Sequence, residues 1–317
     1  MKKLLAHIIL FMTPIFALIL LLPVNKRYKY QYLEHDCFNH ALWIYDRMHN
    51  NPAPVDIAFI GSSHTVNGIN DRRIEQEMGD TLLHVANIGY CRFGRNLSYV
   101  LIKELLATKK PKRIVVEIGN DEDWFSHPIF PYIADQRDVY LPWLLYDRKL
   151  PDDIYRATAY KIEILKDKWY GKISNAPIRM DLYGWAASGD TASIAYLTQV
   201  KNDRKPSREM SATERAVQMM FPRAYLRKIG RICHKNHCRL TFLYLPKYSQ
   251  VSDIPKELNT YKKYGNVIFP PDSLFDDPKL RHDDDHLNVA GANELAVWLA
   301  HALKKAANAS ETSSDQQ

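Results

Sequence analysis

The chain reads as an α/β protein built on a largely parallel five-stranded sheet, and three observations predict it. Five short apolar runs recur along the chain: Asp56 to Gly61 (DIAFIG), Leu82 to Gly89 (LLHVANIG), Arg113 to Gly119 (RIVVEIG), Arg239 to Pro246 (RLTFLYLP) and Val267 to Pro270. The runs are continuous rather than alternating, as central strands covered on both faces must be. Helical stretches separate them, at Asp71 to Met78, Asn96 to Thr108, Pro222 to Lys235 and Gly291 to Ala306. Strand and helix in alternation are the rhythm of a parallel sheet.

The elements before the first strand bear on location. After Met1, Lys2 and Lys3, the run from Leu4 to Pro23 is apolar apart from His7, Thr13 and Pro14. As a helix rising about 1.5 Å per residue it would reach about 30 Å, one bilayer core. A cleaved signal peptide is the rival, but such apolar regions are about 7 to 15 residues long, and no small-x-small site follows Leu22 before the bulky basic stretch from Asn25 to Tyr32. Residues 4–23 are therefore expected to form one transmembrane signal-anchor. Residues 1–3 would be a short cytoplasmic tail and 24–50 a juxtamembrane segment. Lys26, Arg27 and Lys29 balance Lys2 and Lys3 across it, so placing the large domain outside the cytoplasm rests on the short tail staying in.

Core material is expected at 51–123 and 222–307. The intervening 124–221 breaks the rhythm: it is rich in aromatic residues and prolines, and far longer than one crossover helix. It reads as a helical insertion over the carboxyl ends of the strands, serving as a lid or substrate platform or as extra packing. The polar tail 308–317 is expected to be disordered.

Composition narrows the class. With 46% apolar and 25% charged residues in 317, the chain is neither disordered throughout nor a small disulfide scaffold. The net charge of +7 is diffuse and no nucleic-acid-binding module is present, so no nucleic-acid partner is expected. Four cysteines, Cys37, Cys91, Cys233 and Cys238, allow three pairings; Cys233 and Cys238 could close a small loop, or be buried free thiols.

Two blocks carry chemistry. Gly61, Ser62, Ser63 and His64 stand at the exit of the first strand, where loops at the carboxyl ends of parallel strands form the ligand crevice. A serine there needs a base and donors for a developing oxyanion; without them the block is a turn of small residues. His64 follows the serine directly, and adjacent side chains diverge, so it is a poor candidate for that base. The second block is Asp283, Asp284, Asp285, His286, Leu287 and Asn288, ahead of a helix that Asn288 would cap. A carboxylate three residues before a histidine can bend back onto Nδ1, fixing the tautomer that accepts a serine proton at Nε2. Two rivals are a metal site from His282, the three aspartates and His286, and a solvated acidic loop.

Together these blocks resemble the SGNH hydrolase superfamily, also called GDSL-type hydrolases. The resemblance implies a flavodoxin-like three-layer α/β/α fold, with Ser63 as nucleophile, Ser62 at the usual Asp position, and Asp283 orienting His286 in the closing DxxH block. The HLN continuation and small-residue helix start are also typical. Gly89, in Asn87, Ile88, Gly89, matches the glycine block whose N–H would join that of Ser63 in an oxyanion hole. Asn120, in Gly119, Asn120, Asp121, stands for the third block, one residue shorter than the usual Gly-x-Asn-Asp.

A membrane anchor, GSS for GDS and a long insertion resemble the branch that includes the teichoic-acid D-alanylation and alginate O-acetylation proteins. That implies an extracytoplasmic serine O-acyltransferase or esterase acting on acyl, chiefly acetyl, esters of a cell-surface polysaccharide. A multi-spanning membrane-bound O-acyltransferase is the implied partner, and no metal or cofactor is expected. The alternative is a catalytically silent module that binds a glycan or scaffolds such a complex.

Overall fold

A computed structural model describes residues 2–140, 147–173, 175–205 and 210–314. Strands β1 (Ile57–Ile60), β2 (Val85–Asn87), β3 (Arg113–Ile118), β4 (Arg239–Tyr244) and β5 (Asn266–Ile268) form one sheet in the order β2-β1-β3-β4-β5. Every neighbouring pair is parallel. Each of the five apolar runs supplies one strand, and every strand ends before its run does. The order is that of flavodoxin-like doubly wound folds, in which a crevice opens at the carboxyl ends of β1 and β3.

The helices that matter for the site and its supports are α1 (Lys2–Leu21), α2 (His40–His49), α3 (Ser63–Gly68), α4 (Asp71–Met78), α5 (Arg95–Thr108), α6 (Leu150–Trp169), α7 (Ile194–Asp203), α8 (Met220–Lys235) and α9 (Val289–Ser314). They cover both faces of the sheet. On one face Ala58, Ile60, Ile114, Val116 and Phe242 pack with Trp43 and Ile44 of α2, Leu101 and Leu105 of α5 and Leu226 and Ile229 of α8. On the other, Ile57, Phe59, Val115 and Leu243 pack with Ile69, with Ile74 of α4 and with Leu295, Leu299 and Leu303 of α9. Alternate residues of β1 and β3 thus enter different cores, which is why the runs are apolar at nearly every position.

The insertion divides. Helix α6 lies away from the crevice, where Tyr160 donates to the Lys29 carbonyl at 2.5 Å. The extended stretch that follows returns to the strand ends. The N–H groups of Gly184 and Trp185 donate to buried Asp71 at 2.7 and 3.4 Å, and Ala186 N–H donates to Val66 O at 3.1 Å. Helix α7 then lies against the loop after β4, with Arg204 donating to Ser249 O at 2.7 Å.

The structure bears on three further points. Cys37 pairs with Cys91, their Cα atoms 5.4 Å apart, while Cys233 and Cys238 are buried free thiols. The tail expected to be disordered from residue 308 continues α9 as far as Ser314, in keeping with the helix-favouring Ala306, Ala307 and Ala309; residues 315–317 lie outside the described ones. Among the described residues no helix is long and apolar enough to cross a membrane. Residues 4–22 carry backbone in or at the end of α1, but the side chains of residues 5, 6, 9, 15–17, 20 and 21 lie outside the described ones, so the expected anchor rests partly on them.

The bond between Cys37 and Cys91 closes a sequence separation of 54 residues. Breaking it by Cys37→Ser is expected to lower stability by about 2–4 kcal/mol, read from urea denaturation. Maleimide labelling of the denatured, unreduced chain adds two masses, at Cys233 and Cys238, and reduction first raises this to four.

Candidate active site

The site starts from a carboxylate inside a strand. Glu117 lies on β3 with the side-chain parity of Val115, beneath the turn that leaves β1. It is 3% exposed and takes four donors: Ser62 N–H at 2.7 Å, Ser62 Oγ at 2.7 Å, Thr65 N–H at 3.2 Å and Thr65 Oγ1 at 2.6 Å. Gly61 is required by that approach, because a Cβ there would stand 2.2 Å from Glu117 Oε2 and 2.1 Å from Thr65 Oγ1.

This fixes the first turn of α3, whose early N–H groups have no partner within the helix. Ser62 caps it by accepting from His64 N–H at 3.1 Å, Thr65 N–H goes to Glu117, and Val66 N–H goes to Ser62 O at 3.0 Å. Among the described residues the Ser63 N–H makes no hydrogen bond, so it is left for a ligand beside its own hydroxyl.

The acid–base half arrives from the other end of the chain. Asn288 caps α9, accepting from Gly291 N–H at 3.0 Å and donating to Lys279 O at 2.8 Å, and Asn70 ahead of α4 donates to Asn293 Oδ1 at 2.8 Å. The Asp283 carboxylate accepts the N–H groups of Asp285 and His286 at 2.7 and 2.6 Å, curling the loop. His286 Nδ1 lies 2.9 and 3.0 Å from the two Asp283 oxygens, and Nε2 lies 2.8 Å from Ser63 Oγ. Since the carboxylate only accepts, Nδ1 carries the proton and Nε2 is free to accept from the serine. Partial burial would raise the Asp283 pKa, but the hydrogen bond and charge of His286 outweigh it and hold the carboxyl below its ordinary value.

The three aspartates diverge. Asp284 accepts from Ser249 N–H and Oγ at 2.9 and 3.1 Å, and Asp285 pairs with Lys247 at 2.6 Å. Asp285 Oδ1 also lies 3.7 Å from His64 Nε2, while His64 Nδ1 lies 3.6 Å from Glu117 Oε1. Among the described residues no cluster is placed to hold a metal ion. Burial opposes charge on His64, but the carboxylates of Asp285 and Glu117 outweigh it and raise its pKa; His64, then Lys247, push Asp285 well below the usual range. His64 thus lies between the nucleophile turn and the catalytic loop, not on the serine hydroxyl.

The oxyanion donors differ from expectation. Gly89 N–H is already spent on Asn87 Oδ1 at 3.1 Å, because Asn87 turns inward to donate to Thr65 O and Ile69 O at 2.7 and 2.8 Å. Asn120 lines the same cavity as Ser63, yet its amide donates to Asp253 at 2.8 Å. Of the three expected donors, the Gly89 N–H is spent, the Ser63 N–H is uncommitted, and the Asn120 amide keeps one of its two N–H groups beyond the bond to Asp253. The residue that sequence reading missed is Glu117, and its signal was there: one acid inside RIVVEIG, a run otherwise suited to burial on both faces.

Comparison with protein-family models and with curated proteins finds no match for the chain.

Two outcomes are expected. Glu117→Gln turns an amide toward donors and costs roughly 2 kcal/mol, measured by urea denaturation. The stabilising contribution of His64 is fully present below its ordinary value of 6.5 and is lost as pH rises through its higher folded-state value. Denaturation midpoints from about pH 6 to about pH 9 should therefore fall more steeply for the wild type than for His64→Gln.

Proposed function

We propose that the chain is a membrane-anchored serine O-acyltransferase or esterase of the SGNH type, working outside the cytoplasm on acyl esters of a cell-surface polysaccharide. The observation that carries this is the unbroken line from Ser63 Oγ through His286 to Asp283, with contacts of 2.8 and 2.9 Å. Ser63 Oγ attacks the ester carbonyl as its proton passes to His286 Nε2, and Asp283 supports the imidazolium. The Ser63 N–H faces the oxyanion. His286 returns the proton to the leaving alcohol, an acyl-Ser63 ester remains, and a hydroxyl or water discharges it by the same steps in reverse.

The anchor finds support in the exposed Leu4, Leu10, Phe11 and Leu18 of α1, apolar side chains that a bilayer would cover. The disulfide suits an oxidising compartment. A multi-spanning O-acyltransferase as donor partner belongs to the same reading.

One observation favours a second reading, a silent glycan-binding or scaffold module: the Gly89 N–H is spent on Asn87, leaving the Ser63 N–H without the backbone donor expected beside it. Losing one donor costs an esterase about 10²–10³ in rate. A fluorophosphonate probe decides. Labelling that disappears in Ser63→Ala and His286→Ala supports catalysis, and a wild-type chain that takes no label under conditions that label a control serine esterase points to the module.

A further inference from the structure

Ser63 lines two cavities. One, of about 320 Å³, contains Ser62, His64, Asn120, Lys247 and Asp285. The other, of about 460 Å³, contains Phe38, Asn67, Ser188, His282, Asp283 and His286. Only the second includes the base and its orienting acid.

We propose that this second cavity receives the acyl acceptor, and that the acceptor is a neutral, hydroxyl-bearing ring such as a pyranose stacked on Phe38. The proposal deepens the serine acyltransferase reading and rests on it. An acceptor hydroxyl must meet both the acyl carbon on Ser63 and Nε2 of His286, so it enters from the His286 side, while the 320 Å³ cavity is left for the rest of the donor.

The backbone that carries the ring at its edge is tightly tied down. Phe38 is 63% exposed, an aromatic side chain offered to solvent, and Cys37, Phe38 and Asn39 all have left-handed backbone, with φ of 47°, 57° and 56°. Non-glycine residues persist there only where the surroundings over-determine them. Cys37 is bonded to Cys91, whose carbonyl accepts from His127 at 2.9 Å. Asp36 accepts from Cys37 N–H at 3.1 Å, from Tyr90 OH at 3.2 Å and from Arg92 at 3.1 and 3.3 Å. An exposed aromatic ring on a constrained backbone beside polar groups suits a ligand with an apolar ring face and hydroxyls at its rim.

Charge argues for neutrality. Arg92 is the only lysine or arginine among the described lining residues, and both its terminal nitrogens donate to Asp36. His282 Nδ1 donates to the Asp190 carbonyl at 2.7 Å, which leaves its Nε2 as an acceptor when neutral. Asp283 brings negative charge to the wall. An anionic acceptor would meet a carboxylate and no free lysine or arginine.

The transfer step balances. The acceptor oxygen bonds to the acyl carbon as its proton moves to His286 Nε2; the bond from that carbon to Ser63 Oγ then breaks, and the proton returns from His286 to Ser63.

The test uses the full chain with p-nitrophenyl acetate as donor and either methyl glucoside or methanol as acceptor. Phe38→Asn removes the ring while keeping a residue that accepts left-handed backbone, and Phe38→Tyr restores the ring. The expected result is an unchanged p-nitrophenol burst, transfer to methyl glucoside at low concentration reduced about tenfold in Phe38→Asn and restored in Phe38→Tyr, and transfer to methanol unaltered. Equal loss with both acceptors, or no loss with the glucoside, overturns the acceptor site and leaves the serine chemistry standing. A wild-type chain that releases no p-nitrophenol, in a burst or in steady turnover, overturns both.

Discussion

A buried carboxylate sets the geometry from which the site is built. Glu117 stands where β1 and β3 run side by side, and four donors from the turn after β1 converge on its two oxygens. A carboxylate out of water is costly unless its lone pairs are used. Satisfying them fixes how Ser62 and Thr65 face, and so the direction of the hydroxyl between them. The glycine at 61 follows from the same contact, since any side chain there would occupy the space of the carboxylate.

The other half of the site is aligned by helix packing and by charge. Apolar side chains of α9 interlock with those of α4 on one face of the sheet, and the amides of Asn70 and Asn293 fix their relative position. Asp285 then closes the gap, lying between Lys247 after β4 and His64 after Ser63. The three adjacent aspartates have three tasks: one orients the histidine, one holds the loop to Ser249, and one faces His64 and Lys247. Crowded acids can be placed so only because each has a different set of donors.

Much of this was legible in the residues. Five continuous apolar runs located five parallel strands; a strand exit, a carboxylate three residues before His286 and an Asn-capped helix pointed to the two blocks, and the resemblance to SGNH hydrolases singled out Ser63 to meet His286 and Asp283. Residues whose partners are set by tertiary approach were not legible. Gly89 and Asn120 sit where the pattern puts them, yet Asn87 takes the one N–H of Gly89 and Asp253 takes one of the two on Asn120, and nothing in local spacing announces either contact. The pairing of Cys37 with Cys91 needed the fold, since four cysteines leave three choices. Phe38 carries no motif; its place at the cleft edge comes from three left-handed residues and the bonds around Asp36.

The hydrogen bond between Ser63 and His286 joins positions 223 residues apart. Synthesis proceeds from the amino end, so Ser63 leaves the ribosome long before His286 does. Until then Ser63 is an ordinary alcohol with no base to take its proton. On the proposed reading, the serine gains its base only once the carboxyl-terminal part of the chain has folded against the sheet.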